Sequence, residues 1–350
     1  MNTRASASRT TDRPQPAPRK RAFRFWIRRV LLGLGIILVA LSALGTSYQA
    51  IATAIDQRTF APPGQLVEVG GHRMHIHCMG SGSPTVILDA SPGNTSASWG
   101  LIQPEVARST RVCSYDRAGL GWSDSTTAPR DARQIARELH TLLGAAGIPG
   151  PYILVGHSGS GVYAQLYAAN YPAAVAGMVL VDTMHPDQFT PLADGTPPNQ
   201  TLNNAQFVVD MVYRPITTYL GLKRLAATVL FKDLPAPQRG ATIAHWATVA
   251  ASAVAQAELR AAFTDNFTQV RSAGDLGARP LVVLTAGQGG PNWLERQRQL
   301  AALSSNSIHG IVAGADHESL VWGRKDAPVT SAAILQVVEA VRSGQPLAES

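Results

Sequence analysis

The sequence predicts an α/β fold: a mostly parallel, eight-stranded sheet with helices on both faces, carrying an inserted helical cap and preceded by one transmembrane helix. Three observations predict it. Short runs of apolar and β-branched residues alternate with stretches of helical period, the order expected of a sheet built from crossover units. That rhythm stops between Pro186 and Ala278, where a helical pattern runs on far longer than an ordinary connection. No charged residue occurs from Val30 to Ile55, directly after a basic cluster.

The chain has 350 residues, 45% hydrophobic and 15% charged, enough to bury a large core; disorder and a disulfide-dependent miniature fold are both excluded as global descriptions. Its formal charge of +7 is local. Arg4, Arg9, Arg13, Arg19, Lys20, Arg21, Arg24, Arg28 and Arg29 precede Val30 against one acid, Asp12, and this surplus accounts for the whole positive balance. No basic, aromatic-interleaved surface is left to suggest nucleic-acid binding.

Residues 1–29, rich in Arg, Ser, Thr and Pro, read as a solvated basic arm. Residues 30–55 read as a transmembrane helix, and the positive-inside rule puts the arm in the cytoplasm and everything after Gln57 outside. A cleaved signal peptide is the alternative, with Ala50-Ile51-Ala52 or Ala52-Thr53-Ala54 as small-residue sites and a secreted product. The apolar run exceeds a usual signal core, which favours the membrane anchor. Residues 56–64, with Pro62 and Pro63, make a linker.

The core is expected over 65–186 and 279–345. Gln65–Val69 and Arg73–Cys78 form two strands joined at Gly70-Gly71. Thr85–Asp89 and Thr110–Tyr115 are the next strands. Asp131–Ala146 is a helix on the apolar spacing of Ile135, Leu139, Leu142 and Leu143. Tyr152–Val155 is a buried strand leading into a helix over Ser158–Asn170, which Pro172 stops. Gly177–Val181, Leu281–Leu284 and Ile308–Val312 complete the strands, and Thr330–Val341 is the last helix. Residues 187–278 form the cap. Its Phe207, Met211, Tyr219, Leu222, Leu225 and Phe231, with Ile243, Trp246 and Val249, have the spacing of core-facing residues. Cys78 and Cys113 are too few for a disulfide framework or a zinc site; they form one bridge or stay as two buried thiols.

Val155-Gly156-His157-Ser158-Gly159-Ser160-Gly161 places a serine at a strand-to-helix turn with small residues two before and two after it, the pattern of a nucleophile elbow. Ser160 stands where a glycine is usual; as a nucleophile it would be flanked by the bulky Val162, so Ser158 is the candidate. His317, in Gly314-Ala315-Asp316-His317 after the last strand, fits a general base. His75 and His77 alternate on one strand with no third ligand beside them, which favours packing over metal binding, and His157 has a structural place in the elbow.

An acid must orient the base and stabilise the imidazolium. The segment after the seventh strand, Thr285 to Asn292, holds no carboxylate. Asp182, at the end of Met178-Val179-Leu180-Val181, is the preferred candidate over Glu295 or no acid at all. The loop Asp89-Ala90-Ser91-Pro92-Gly93-Asn94 is expected to supply the Ser91 backbone amide to an oxyanion hole, with the Gly159 amide as its partner.

The ordered set Gly80-Ser81-Gly82-Ser83-Pro84, Asp116-Arg117-Ala118-Gly119-Leu120-Gly121-Trp122-Ser123, the Gly-His-Ser elbow, Leu180-Val181-Asp182 and the late Gly-x-x-His resembles the α/β-hydrolase superfamily, close to its membrane-anchored bacterial members, over about residues 65–345. The resemblance implies that the Asp116–Ser123 turn shapes the fold and carries no chemistry. The usual His-Gly of the oxyanion loop is here Asp89-Ala90, a departure that bears on the shape of the hole. Relatives with an aspartate nucleophile, epoxide hydrolases and haloalkane dehalogenases, are disfavoured by Ser158. The expected activity is hydrolysis of a small-molecule carboxylic ester or related acyl substrate through an acyl-enzyme, with no cofactor or metal implied. Peptide, lactone or carbon-carbon bond hydrolysis, cofactor-free perhydrolysis, and a ligand-binding module with little turnover are the alternatives.

Overall fold

The computed structural model describes residues 19–197 and 213–348. The chain divides into two compact units, one reaching Gly45 and the other beginning at Thr46. Helix α1 spans Arg19–Thr59. It corrects two expected boundaries: residues 19–29 are helical rather than part of a solvated arm, and residues 56–59 are helical rather than linker. Charge was the sequence marker of those limits, but helices end at breakers, and none lies between Pro18 and Pro62 apart from glycines within the apolar run. From Phe23 to Thr59 the helix is long and apolar enough to cross a membrane.

The second unit is built on one eight-stranded sheet: β1 (Gln65–Glu68), β2 (Arg73–Met79), β3 (Thr85–Asp89), β4 (Val112–Tyr115), β5 (Tyr152–His157), β6 (Val175–Val181), β7 (Leu281–Ala286) and β8 (Ser307–Val312). The strand order is β1-β2-β4-β3-β5-β6-β7-β8. Only the pairs of β1 with β2 and of β2 with β4 are antiparallel; the others are parallel. Cys78 and Cys113 face each other across β2 and β4 and are joined as a disulfide.

The central strands are apolar on both faces because each face meets its own core. Val86, Leu88, Ile153, Val155, Val179, Val181, Val282 and Leu284 belong to one cluster, with Ile334 and Val337. The intervening Ile87, Leu154, Met178, Leu180, Leu281 and Val283 belong to another, with Leu139, Leu142 and Tyr167. The helices that cover these faces are the short α2 (Gln103–Val106), α3 (Ala132–Ala145), α4 (Ser160–Asn170) and, after the cap, α10 (Pro291–Ala301), α11 (Ser319–Trp322) and α12 (Ala327–Ser343). Asp131 caps α3 by accepting a hydrogen bond from the Gln134 amide.

The described cap helices are α5 (Arg214–Tyr219), α6 (Leu222–Leu230), α7 (Ala236–Trp246), α8 (Val249–Ala261) and α9 (Phe267–Arg271), with a π-helical turn, Ala262–Asn266, between the last two. Phe207 and Met211 lie outside the described residues. Phe231 is fully buried and stacks edge-on against Trp246 and Trp322. Tyr219, Leu222 and Leu225 instead face outward, against the core-facing role that their spacing predicts. The inward positions of α6 are taken by Lys223, Arg224 and Ala227.

Candidate active site

The chain between β5 and α4 turns sharply at Ser158, whose φ of 59° is a left-handed conformation that a non-glycine residue holds only under constraint. The constraint comes from both sides: the Ser158 amide donates to Val181 O, and Ser158 O accepts from the Met184 amide. The neighbours are small because there is no room. A Cβ on Gly156 would lie 2.6 Å from the backbone of Gly161, and one on Gly159 would lie 2.7 Å from Pro92 Cγ. Ser160, fully buried, sits with its Oγ 2.8 Å from both Asp89 O and His157 O. Its hydroxyl ties the elbow to the loop after β3, a bond that a glycine there cannot make.

Asp182 follows β6 directly, also with positive φ, 43°, and its amide donates to Leu284 O. Its Oδ2 lies 2.6 Å from His317 Nδ1. Its Oδ1 accepts from the Ala286 amide at 3.0 Å and from Trp293 Nε1 at 2.8 Å. The last residue of β7 and Trp293 of α10 thus give two donors to the acid of the neighbouring strand. Burial works against ionising Asp182, yet the hydrogen bonds from His317, Trp293 and Ala286 outweigh it and hold the carboxyl below its usual range. Burial likewise opposes protonation of His317, and the Asp182 hydrogen bond, with the charges of Glu318, Asp182 and Asp316, outweighs it and raises the imidazole above its ordinary value. Glu295, the other candidate acid, is engaged elsewhere, with Arg298 and Gln299 on α10.

His157 lies under this pair. Its ring is 4.7 Å from the His317 ring, and Nε2 donates to His317 O at 2.9 Å. Burial first, then the nearby His317, lowers its pKa to about 3, so it stays a neutral donor that fixes the His317 backbone. His75 is consumed by a buried hydrogen bond to Asp116, 2.9 Å long.

The loop of Ser91 is brought beside the elbow, as the contact of Pro92 with Gly159 shows. It is held by an ionic cluster that sequence reasoning missed. Arg117 donates to Asp89 Oδ1, to Ala90 O at 2.6 Å and to Ser91 O at 3.0 Å. Its other edge is bonded to Glu258 of cap helix α8 at 2.7 and 3.0 Å, and Glu258 also accepts from the Gly93 amide at 3.0 Å. Asp89 further accepts from Tyr115 Oη at 2.7 Å. Burial and the Glu258 charge push Asp89 up to about 6 in spite of Arg117. The Asp116–Ser123 turn therefore does more than shape the fold, since Arg117 grips both the loop backbone and the cap. The sequence carries no signal of this pairing beyond Glu258 being the one acid between Asp233 and Asp265.

The arrangement has a constrained serine with a backbone loop fixed beside it, and a carboxylate-bonded imidazole whose backbone is held by the residue before that serine. A separate cavity of about 380 Å³, lined by Phe60, His77, Gln103, Trp122 and Gln238 among others, has none of Ser158, Asp182 or His317 in its walls.

Residues 84–324 match the family model described as the α/β hydrolase fold. An uncharacterized protein of Schizosaccharomyces pombe is 27% identical over 298 residues, 74% of this chain and 53% of that protein. The chain spans about half or less of the length of the first curated relatives it matches. Among solved structures, a bacterial membrane phospholipase A superposes with a TM-score of 0.60 at 18% identity, covering 92% of this chain and 99% of that one. An esterase from Exiguobacterium antarcticum superposes with a TM-score of 0.60 at 15% identity, covering 79% and 99%. At these identities the structural likenesses speak for the fold.

Proposed function

Because the chain belongs to the α/β hydrolase fold family, we propose that it is a serine hydrolase that cleaves a small-molecule carboxylic ester or related acyl substrate. The observation that carries this reading is the 2.6 Å hydrogen bond between Asp182 and His317, whose backbone oxygen is held by His157, the residue directly before the strained turn at Ser158. In the first half-reaction, Ser158 Oγ attacks the carbonyl carbon as His317 takes its proton; the carbon–oxygen bond to the alcohol breaks, and the alcohol leaves with that proton. Asp182 keeps the imidazole in the tautomer that accepts at Nε2 and stabilises its protonated form. The amides of Ser91 and Gly159 stabilise the charged oxygen of the tetrahedral intermediate, each worth about 3 kcal/mol in this class of site. Neither amide has an acceptor among the described residues, which leaves both free for that role. In the second half, water activated by His317 frees the acid and regenerates Ser158.

The helix Arg19–Thr59 is proposed to anchor the chain, with the basic N-terminus on the cytoplasmic side and the catalytic unit exported. The disulfide between Cys78 and Cys113 supports an exported, oxidising location. The test is hydrolysis of short-chain and medium-chain nitrophenyl esters by the full chain and by Ser158→Ala, with fluorophosphonate labelling of both. Turnover and labelling should disappear together in the variant. A folded wild type that neither labels nor turns over would refute the reading.

A further inference from the structure

Cap helix α6 is inverted. A helix on a water-exposed surface turns its apolar stripe inward and its charges outward. Here Lys223 and Arg224 are each only 6% exposed, while Leu222, Leu225 and Val229, three and four residues apart on one face, are 48, 55 and 68% exposed. Tyr213, Ile216 and Tyr219, at and within the neighbouring α5, are also more than half exposed. The buried charges have specific places. Lys223 Nζ lies 4.1 Å from the Trp246 ring centroid and donates to Ser252 Oγ at 2.9 Å, and Arg224 pairs with Asp56 on α1. So the orientation of α6 is fixed from inside, and its exposed apolar residues, with the tyrosines and isoleucine of neighbouring α5, are turned outward.

The position of that face along the chain identifies what covers it. About 20 helical residues cross the hydrocarbon of a bilayer. Counted from Val30, directly after Arg28-Arg29, the crossing ends near Gln49. Gln49 is one of the α1 residues that meet the cap: it is buried, its Nε2 donates to Ala247 O at 2.6 Å, and Arg224 of α6 reaches both Gln49 and Asp56. The cap is therefore joined to the stretch of chain from Gln49 to Asp56, where the proposed crossing ends.

We propose that the outward face of α5 and α6, centred on Ile216, Tyr219, Leu222, Leu225 and Val229, is a second membrane-contact surface seated in the lipid interface. Its tyrosines suit the headgroup boundary and its aliphatic residues the acyl region below. This inference rests on the reading of α1 as a membrane anchor and is independent of the chemistry at Ser158. It places the cap of the catalytic unit against lipid, so that amphipathic substrates dissolved in the bilayer meet the cap without first crossing water.

The test uses the full chain in nanodiscs that hold one copy each. The native cysteines are bonded to each other, so a single introduced cysteine takes one fluorophore. Labels at Leu225→Cys and Val229→Cys are compared with Leu34→Cys in the span and Arg137→Cys on α3, using brominated phosphatidylcholine and aqueous iodide as quenchers. The expected result is loss of fluorescence to brominated lipid at 225 and 229 as at 34, with iodide quenching confined to 137. Lipid quenching at 34 combined with iodide quenching at 225 and 229 overturns the proposal and leaves the anchor standing. Protection of 225 and 229 from both quenchers means that protein covers the face, and also overturns it. Absence of lipid quenching at 34 overturns the anchor reading and the second contact together.

Discussion

His317 Nδ1 and Asp182 Oδ2 are 2.6 Å apart, although the two residues come from opposite sides of β7 in the sheet, at the ends of β6 and β8. The carboxylate is anchored independently of the histidine by Ala286 and Trp293. Asp182→Asn should therefore leave the fold intact while letting the imidazole adopt the wrong tautomer, lowering kcat by about 10⁴-fold with little change in KM. Steady-state kinetics and a thermal melt on the same preparation check both halves. An unimpaired Asp182→Asn would remove Asp182 from the mechanism.

The raised pKa of His317 sets the acid limb of the pH profile. The base works as neutral imidazole, so kcat/KM should rise as the proton is lost, with a midpoint above the ordinary histidine value, and should fall away below it. The same shift links to stability. The native state holds this proton more tightly than the unfolded chain, so the stabilisation is full below the unfolded pKa and is lost as pH rises through the folded one. In Asp182→Asn the acid limb should move to lower pH, measurable on the residual activity.

Much of this was legible in the sequence because it depends on local pattern. The strands Thr85–Asp89 and Tyr152–Val155, the latter extended by the structure to His157, announce themselves as buried apolar runs, and the elbow by small residues around Ser158. The choice of Asp182 followed from the absence of a carboxylate after β7, and the two donors that hold it, Trp293 and Ala286, have no one-dimensional signature. The Arg117–Glu258 contact spans 141 positions, and nothing in either local segment pairs them. The outward apolar face of α6 was misread for a different reason. Periodicity gives the spacing of an apolar stripe but not the medium it faces, and Leu222, Leu225 and Val229 have the same spacing whether they meet a core or a lipid.

One guanidinium, Arg117, serves two buried carboxylates, Asp89 and Glu258, and this imbalance predicts opposite outcomes for its members. Arg117→Met leaves two buried carboxylates without a counter-charge and should cost about 3–5 kcal/mol of stability. Glu258→Gln restores a one-to-one balance, so its stability should change by less than about 1.5 kcal/mol. It weakens the hold on the Gly93 amide and the loop beside Ser158, and should lower kcat by about tenfold, or ~1.4 kcal/mol, more than it changes KM. Denaturant titration and ester kinetics separate the two effects.

The disulfide closes a loop from Cys78 to Cys113, a separation of 35 residues that contains β3, the loop of Ser91 and α2. Chain-entropy arguments give such a closure about 4 kcal/mol. Cys78→Ala with Cys113→Ala should lower the denaturant midpoint by the equivalent of up to about this amount, with the slope rising as the unfolded chain expands. A midpoint unchanged from wild type would mean that the bond adds nothing beyond the strand pairing.

The two serines of the elbow, Ser158 and Ser160, separated by Gly159, should separate completely by function. Ser160 Oγ is buried and directed at Asp89 O and His157 O, so its hydroxyl is spent on holding the elbow against the loop. Ser160→Ala removes that hydrogen bond without adding bulk and should cost about 1 kcal/mol of stability while keeping fluorophosphonate labelling and most of the turnover. Ser160→Val puts a methyl where the hydroxyl donated and adds volume in a fully buried site, with an overpacking cost of about 1–3 kcal/mol. Ser158→Ala should melt close to wild type and neither label nor turn over. If Ser160→Ala instead abolished labelling while Ser158→Ala retained it, the nucleophile would be the second serine, and the left-handed turn at Ser158 would need another explanation.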